Sequence, residues 1–203
     1  SFFAFIELKG LDLLFALRGP LPSPENIVIV AIDEPSMAEI EQQWPWPRSL
    51  HARLIQKLHQ AGARVIGFDI LFAEHSTPDE DQAFARALQD AKNVVLVSVF
   101  SIIDDPLFRH TIRISPASAF RNAAIIGHQL VSIDADGVAR RTRLMTLDMP
   151  SFALQAFRRI IGNPAAAIGA PEQKRFSPQT LLQDLLINYR GPARTIRTVS
   201  YYQ

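Results

Sequence analysis

Arg64-Val65-Ile66-Gly67-Phe68-Asp69-Ile70-Leu71-Phe72 is an apolar run rich in branched and aromatic side chains, and its length suits a buried strand. Just upstream, Leu50, Leu54, Ile55, Leu58 and Ala61 recur on one helical face, and Gly62 stands where a helix C-cap takes a left-handed residue. Further upstream, Ile27-Val28-Ile29-Val30-Ala31-Ile32 reads as another strand covered on both faces. Strand, helix and strand predict a right-handed parallel unit. Downstream, Thr77-Pro78-Asp79-Glu80 supplies a capping residue, a proline at the first helical position and an acid three residues after the cap. Phe84, Ala87, Leu88 and Ala91 face inward from that helix, and Asn93-Val94-Val95-Leu96-Val97-Ser98-Val99-Phe100 follows as a third strand. The βαβαβ order predicts an α/β fold, a mainly parallel sheet with helices on both faces.

Around this centre the periods are shorter. Phe5, Leu8, Leu11, Asp12 and Phe15 predict an amphipathic opening helix that ends at Arg18-Gly19-Pro20, before a stiff linker containing Pro20, Pro22 and Pro24. Residues 101–121 read as irregular, with a turn at Asp104-Asp105-Pro106. Residues 125–133 and 138–145 predict two strands joined through Asp134-Ala135-Asp136-Gly137, whose Asp-Gly pair is a turn signal. A helix over 151–161 closes at Gly162, and Leu185 to Pro192 is a strand running into a turn. Thr198-Val199-Ser200-Tyr201 pairs beside that strand in this reading. The expectation is one domain over 1–203, with a helix over 1–19 and an α/β core over 20–203.

Composition narrows the chemistry. The net charge is +1 with no run of five like charges, which argues against nucleic acid as a partner. There is no cysteine, so disulfides, thiolate metal sites and thiol nucleophiles are excluded. No apolar run approaches the roughly 18 to 20 residues of a spanning helix, and no signal-peptide pattern opens the chain. The start at Ser1, with Phe2-Phe3-Ala4-Phe5-Ile6 behind it, reads as a piece of a longer protein just outside a membrane helix, or as phenylalanines docked on the domain's own core.

Asp12 and Arg18, Ile29-Val30-Ala31-Ile32-Asp33-Glu34 with Ser36, and Trp44-Pro45-Trp46-Pro47-Arg48 with His51 stand in that order along the chain. Ala61-Gly62-Ala63, Gly67-Phe68-Asp69-Ile70-Leu71-Phe72, Asp79 and Asp81 before Phe84, and Ile126-Gly127 continue the series. Asp136-Gly137-Val138 with Arg140-Arg141 and Ile187-Asn188-Tyr189-Arg190-Gly191-Pro192 complete it. In joint order and spacing these pieces resemble the type-two CHASE domain. The resemblance implies a bacterial extracytoplasmic sensory module, placed after one membrane helix and before others that lead to a cytoplasmic histidine kinase, cyclase or serine/threonine kinase. It implies no catalysis in this chain, no cofactor and no particular ligand.

The residues leave several chemistries open. Ligands of open parallel sheets sit beyond the carboxyl ends of the strands, where Asp33 and Asp69 stand. Two carboxylates there suit a divalent cation, with Glu34, Glu74, Asp79 or Asp81 completing the shell, or a cationic ligand; alternatively each caps a helix or pairs with a buried arginine. Arg140 shares a strand face with Val138, Thr142 and Leu144; either Asp33 or Asp69 is the carboxylate it needs, in a structural ion-pair network, or it stands free in a cleft and helps bind an anionic ligand. Trp44 and Trp46 either present an aromatic face to a ligand or plug the sheet, with Arg48 stacked on one of them. The five histidines, His51 and His59 included, lack zinc-pair spacing. Asp33, Trp44, Trp46, Arg48, Asp69 and Arg140 are therefore the candidate ligand residues. The rival readings are a metal-dependent hydrolase or phosphotransfer domain using Asp33 and Asp69, and a dimerisation module whose opening helix packs on a second copy.

Overall fold

The computed structural model describes residues 2–105, 108–162 and 183–203. Its elements, in order, are α1 (Phe2–Arg18), β1 (Ile29–Ala31), α2 (Glu34–Glu39), α3 (Arg48–Gln60), β2 (Ile66–Phe68), α4 (Pro78–Ala91), β3 (Val94–Asp105), β4 (Phe108–Ile114) and α5 (Ser118–Arg121). There follow β5 (Ile125–His128), β6 (Val131–Ile133), β7 (Ala139–Arg143), β8 (Met145–Thr146), β9 (Met149–Pro150), α6 (Phe152–Ile161), β10 (Asp184–Leu186) and β11 (Thr198–Ser200). The fold is α/β, as expected. By contacts the chain divides into two compact units, Pro47–Ile187 and Ser1–Trp46 with Asn188–Gln203.

The larger unit is built on β3. Its first half runs parallel between β2 and β5, with Val95 opposite Gly67 on one side and Ile125 on the other. Val94 and Leu96 point into a core of Ile55 from α3, Phe84 and Leu88 from α4, and Phe120 from α5, all at most 1 % exposed. Val95 and Val97 are equally buried on the alternate face, and α6 lies against β2, β3 and β5. Two-sided burial explains why this stretch is apolar at every position. Beyond Ser98, β3 changes partner and pairs antiparallel with β4 through Asp105, so 101–105 and 108–114 are paired strands and 118–121 a helical turn rather than irregular. Asp104, Arg109 and His110 interrupt the apolar period there, but β4 supplies the backbone partners that keep the strand extended. The expected turn includes Pro106, outside the described residues.

Other boundaries shift for similar reasons. The run at 64–72 contributes only three residues of ladder, β2. The strand read over 125–133 divides, with β5 joining the parallel sheet and β6 joining an antiparallel sheet in the order β10-β7-β6. Both helix-end glycines behave as expected, Gly62 and Gly162 each having φ of 82°.

In the smaller unit, β1 pairs parallel with β11, Val30 standing opposite Val199. This corrects two expectations. The ladder partner of β1 is not β2, and β11 does not pair beside β10, which binds β7 instead. Nor is the apolar run covered on both faces: Ile27, Val28 and Ile29 are each nearly half exposed. The opening helix forms, but it is apolar on two sides rather than amphipathic. Leu8, Leu11 and Phe15 are half-buried, while Ile6, Leu13, Leu14 and Leu17 are exposed along the other side. The Phe5 side chain lies outside the described residues.

Two glycines let α6 approach the parallel sheet. A Cβ on Gly127 would stand 2.5 Å from Cα and 2.6 Å from N of Phe152, and one on Gly67 would stand 2.7 Å from the Phe152 ring. Backbone cannot swing aside as a side chain can. Gly127→Ala is therefore expected to destabilise the chain by about 2 to 4 kcal/mol in urea unfolding, whereas Gly10→Ala, with nothing within 4 Å, raises stability by about 0.5 to 1 kcal/mol. Equal midpoints for the two variants would contradict this packing.

Candidate functional site

Asp33 stands just after β1 and caps α2, with Pro35 in the first turn. Its Oδ1 accepts hydrogen bonds from the backbone N (3.0 Å) and Oγ (2.6 Å) of Ser36, and its Oδ2 accepts from Oγ of Ser200 in β11 (2.6 Å). The Tyr201 N–H in turn donates to Ser36 Oγ at 2.9 Å. The Ser200 bond, then those from Ser36, hold the Asp33 carboxyl below its usual range. Both carboxylate oxygens thus tie the end of β1 to the end of β11.

The tryptophan loop lies beside this knot. Trp44 joins Pro45 through a cis peptide and is 42 % exposed, whereas Trp46 is buried. The two rings meet edge-on at 5.4 Å, and Trp46 tilts against the Tyr201 ring at 5.0 Å. Only Trp44 presents a ring to solvent.

Arg48 opens α3 and is buried in the larger unit. Its guanidinium lies over the Phe120 ring at 4.7 Å and the Phe72 ring at 5.6 Å, not over either tryptophan. Nε stands 3.3 Å from Asp81 Oδ1, and Nη2 donates to the Glu74 carbonyl. Burial lowers the Arg48 pKa from its ordinary value, against the pull of Asp81 and Glu74. Asp81 also accepts from the Ser76 N–H and stands 2.9 Å from His75 Nδ1. Burial favours its neutral form, but these bonds and the Arg48 charge prevail and lower its pKa. Glu80 accepts from both N and Oγ of Ser49, closing the N-terminus of α3. The acids near Asp79 therefore serve helix ends and one buried arginine.

Asp69 accepts from Gln129 Nε2 at 3.2 Å and is exposed, and it belongs to the larger unit while Asp33 belongs to the smaller. Arg140 is 3 % exposed, as its face required, but its carboxylates are Asp134 (3.0 Å) and Asp136 (2.8 Å), not Asp33 or Asp69. The reason is local: the turn closing on Gly137 folds both acids back onto β7, where Asp134 also takes Arg141. Among the described residues, no group of three or more histidines and carboxylates is placed to hold a metal ion.

The smaller unit also holds a hollow of about 300 Å³ between the end of α1 and residues 188–192, lined chiefly by Phe15, Arg18, Pro20, Tyr189, Gly191 and Pro192. Arg18 spans it, donating to Asn188 Oδ1 at 2.5 Å and to the Tyr189 carbonyl. The Leu21 N–H donates to the Arg190 carbonyl at 2.7 Å on the same seam.

A family model described as CHASE2 domain matches residues 1–203. The chain belongs to the CHASE2 family. CHASE2 domains are extracellular sensory domains rather than catalytic ones. No curated protein and no solved structure matches the chain.

In this CHASE2 domain, sequence reading quoted Ser36, Arg18 and Ile187 to Pro192 as pieces of the resemblance but gave neither them nor Ser200 a place in a site. The Asp33-Glu34-Pro35-Ser36 order does carry a helix-start pattern, and Ile187 to Pro192 stood among the pieces that carried the resemblance.

His51 is strongly perturbed. It is 1 % exposed among the rings of Phe68, Phe72 and Phe84, and burial, then the Arg48 charge, push its pKa down to about 4. The unfolded chain takes up this proton near pH 6.5 and the folded chain only near 4, so the stability is complete above 6.5 and falls as pH drops towards 4. The loss expected in that window is about 2 to 3 kcal/mol. Denaturation midpoints from pH 7.5 to 4 check it, and a His51→Phe variant with the same slope would exclude His51 as the cause.

Proposed function

We propose that this CHASE2 domain is the extracytoplasmic signal-input module of a bacterial transmembrane receptor, passing ligand state to a cytoplasmic kinase or cyclase through the segments that flank it. Family membership over the whole chain carries this reading. The arrangement of the smaller unit supports it. Segments from both ends of the chain lie side by side there, β1 with β11 and the end of α1 with residues 188–192. A ligand that favours one arrangement of these paired ends changes what leaves the domain at both of them. Asp33, Trp44 and Arg18 are the smaller unit's groups through which such a change would be read.

Sidedness is the test. In the source protein truncated after Gln203, a fused alkaline phosphatase is expected to be active and a fused fluorescent protein dark. The reverse pattern would place the domain in the cytoplasm and end this reading.

A second reading, in which the input is assembly of two copies, draws on the exposed side of α1. Ile6, Leu13, Leu14 and Leu17 are between 51 % and 75 % exposed and fall on one stripe at helical spacing. Sedimentation equilibrium is expected to show a dimer that Leu14→Glu and Leu17→Glu weaken at least about tenfold. A chain that stays monomeric at every concentration would remove this reading.

A further inference from the structure

We infer that the hollow between the end of α1 and residues 188–192 seats a small monocarboxylate with a planar apolar body. Its cation carries the argument. Arg48, Arg140, Arg141 and Arg143 each meet a carboxylate within 4 Å. Arg18, like Arg64 and Arg190, donates to uncharged acceptors, here Asn188 Oδ1, the Tyr189 carbonyl and, at 3.4 Å, the Gly19 carbonyl, and of these three Arg18 is the one that lines the hollow. All three nitrogens are engaged, which holds the guanidinium in place, and each terminal nitrogen keeps a second N–H; a carboxylate is the anion whose planar pair of oxygens such a pair of donors matches.

The walls select the body of the ligand. The Phe15 ring lies under the Arg18 guanidinium, 4.8 Å from centroid to Cζ, and meets the Tyr189 ring edge-on at 6.4 Å. Pro20 and Pro192 add apolar surface with little rotamer freedom to lose. Gly191 belongs to a tightly packed turn, where a Cβ would stand 2.6 Å from Thr195 Oγ1 and 3.2 Å from Pro20, so the seat is formed before any ligand arrives. A volume near 300 Å³ is at the small end of ligand cavities, about 300 to 1,000 Å³, and suits one ring with a short acid rather than a nucleotide. A single lining cation also favours one negative charge over a phosphate dianion. Such a ligand touches the end of α1 and the segment leading to β11 together, and so favours the state in which they are joined. That consequence rests on the signal-input reading; the binding itself does not.

The test is an amide-resolved NMR titration of the full 203-residue chain with benzoate and phenylacetate, alongside benzamide, which lacks the charge, and acetate, which lacks the ring. Shifts are expected at Phe15, Ala16, Gly19, Tyr189 and Gly191, with a Kd of about 1 mM for benzoate and little response to benzamide or acetate. Arg18→Gln is expected to weaken benzoate at least about tenfold, Arg18→Lys less, and Ala16→Trp, which fills the hollow while keeping the arginine, to abolish the shifts. Silence at these residues up to tens of millimolar benzoate, benzamide binding as tightly as benzoate, or unchanged affinity in a folded Arg18→Gln chain would each overturn the assignment. None of these results moves the sidedness of Gln203, and reversed sidedness would not remove binding, so the two readings fail separately.

Discussion

The five residues Val94 to Ser98 are buried on both faces, and the larger unit is arranged around that constraint. A parallel strand in such a place needs backbone partners on both edges and apolar cover above and below. β2 and β5 provide the edges, α3, α4 and α5 cover one face, and α6 covers the other. The cover by α6 is possible because Gly67 and Gly127 carry no side chain where Phe152 comes down. Replacing the parallel partners by β4 beyond Ser98 frees the rest of β3 from that demand, and polar residues enter the strand from there.

Charged groups follow the same logic of local completion. Arg48 is acceptable in the core because Asp81 and the Glu74 carbonyl meet it and two phenylalanine rings lie beneath it. Arg140 is acceptable in β7 because its own hairpin turn returns Asp134 and Asp136. His51, among aromatic rings, stays neutral instead. Asp33 is different in kind. One oxygen takes the neighbouring Ser36 while the other takes Ser200 from far along the chain, so its carboxylate closes the loop between the first strand and the last.

That closure makes the smaller unit the place where both ends of this CHASE2 domain are held. Asp33 with Ser200, Tyr201 with Ser36, and Arg18 with Asn188 and Tyr189 are three links between one end and the other. They leave apolar surface open, along β1 and along one side of α1.

By itself the sequence determined the α/β class, the helices that follow the tryptophan loop and Thr77, the buried strand after Asn93, the helix that closes at Gly162 and the family. All of these follow from short-range signals: period, capping residues, turn glycines and the order of motifs. Tertiary structure alone decided that β1 pairs with β11, that β3 changes partner at Ser98, and that Asp33, Asp69 and Arg140 go to three separate neighbourhoods. Asp33 and Ser200 are 167 residues apart, and Arg18 and Asn188 170. An apolar run records that a strand will be extended, but its partner is chosen by which distant backbone offers free donors and acceptors at its edge, and no local pattern carries that choice.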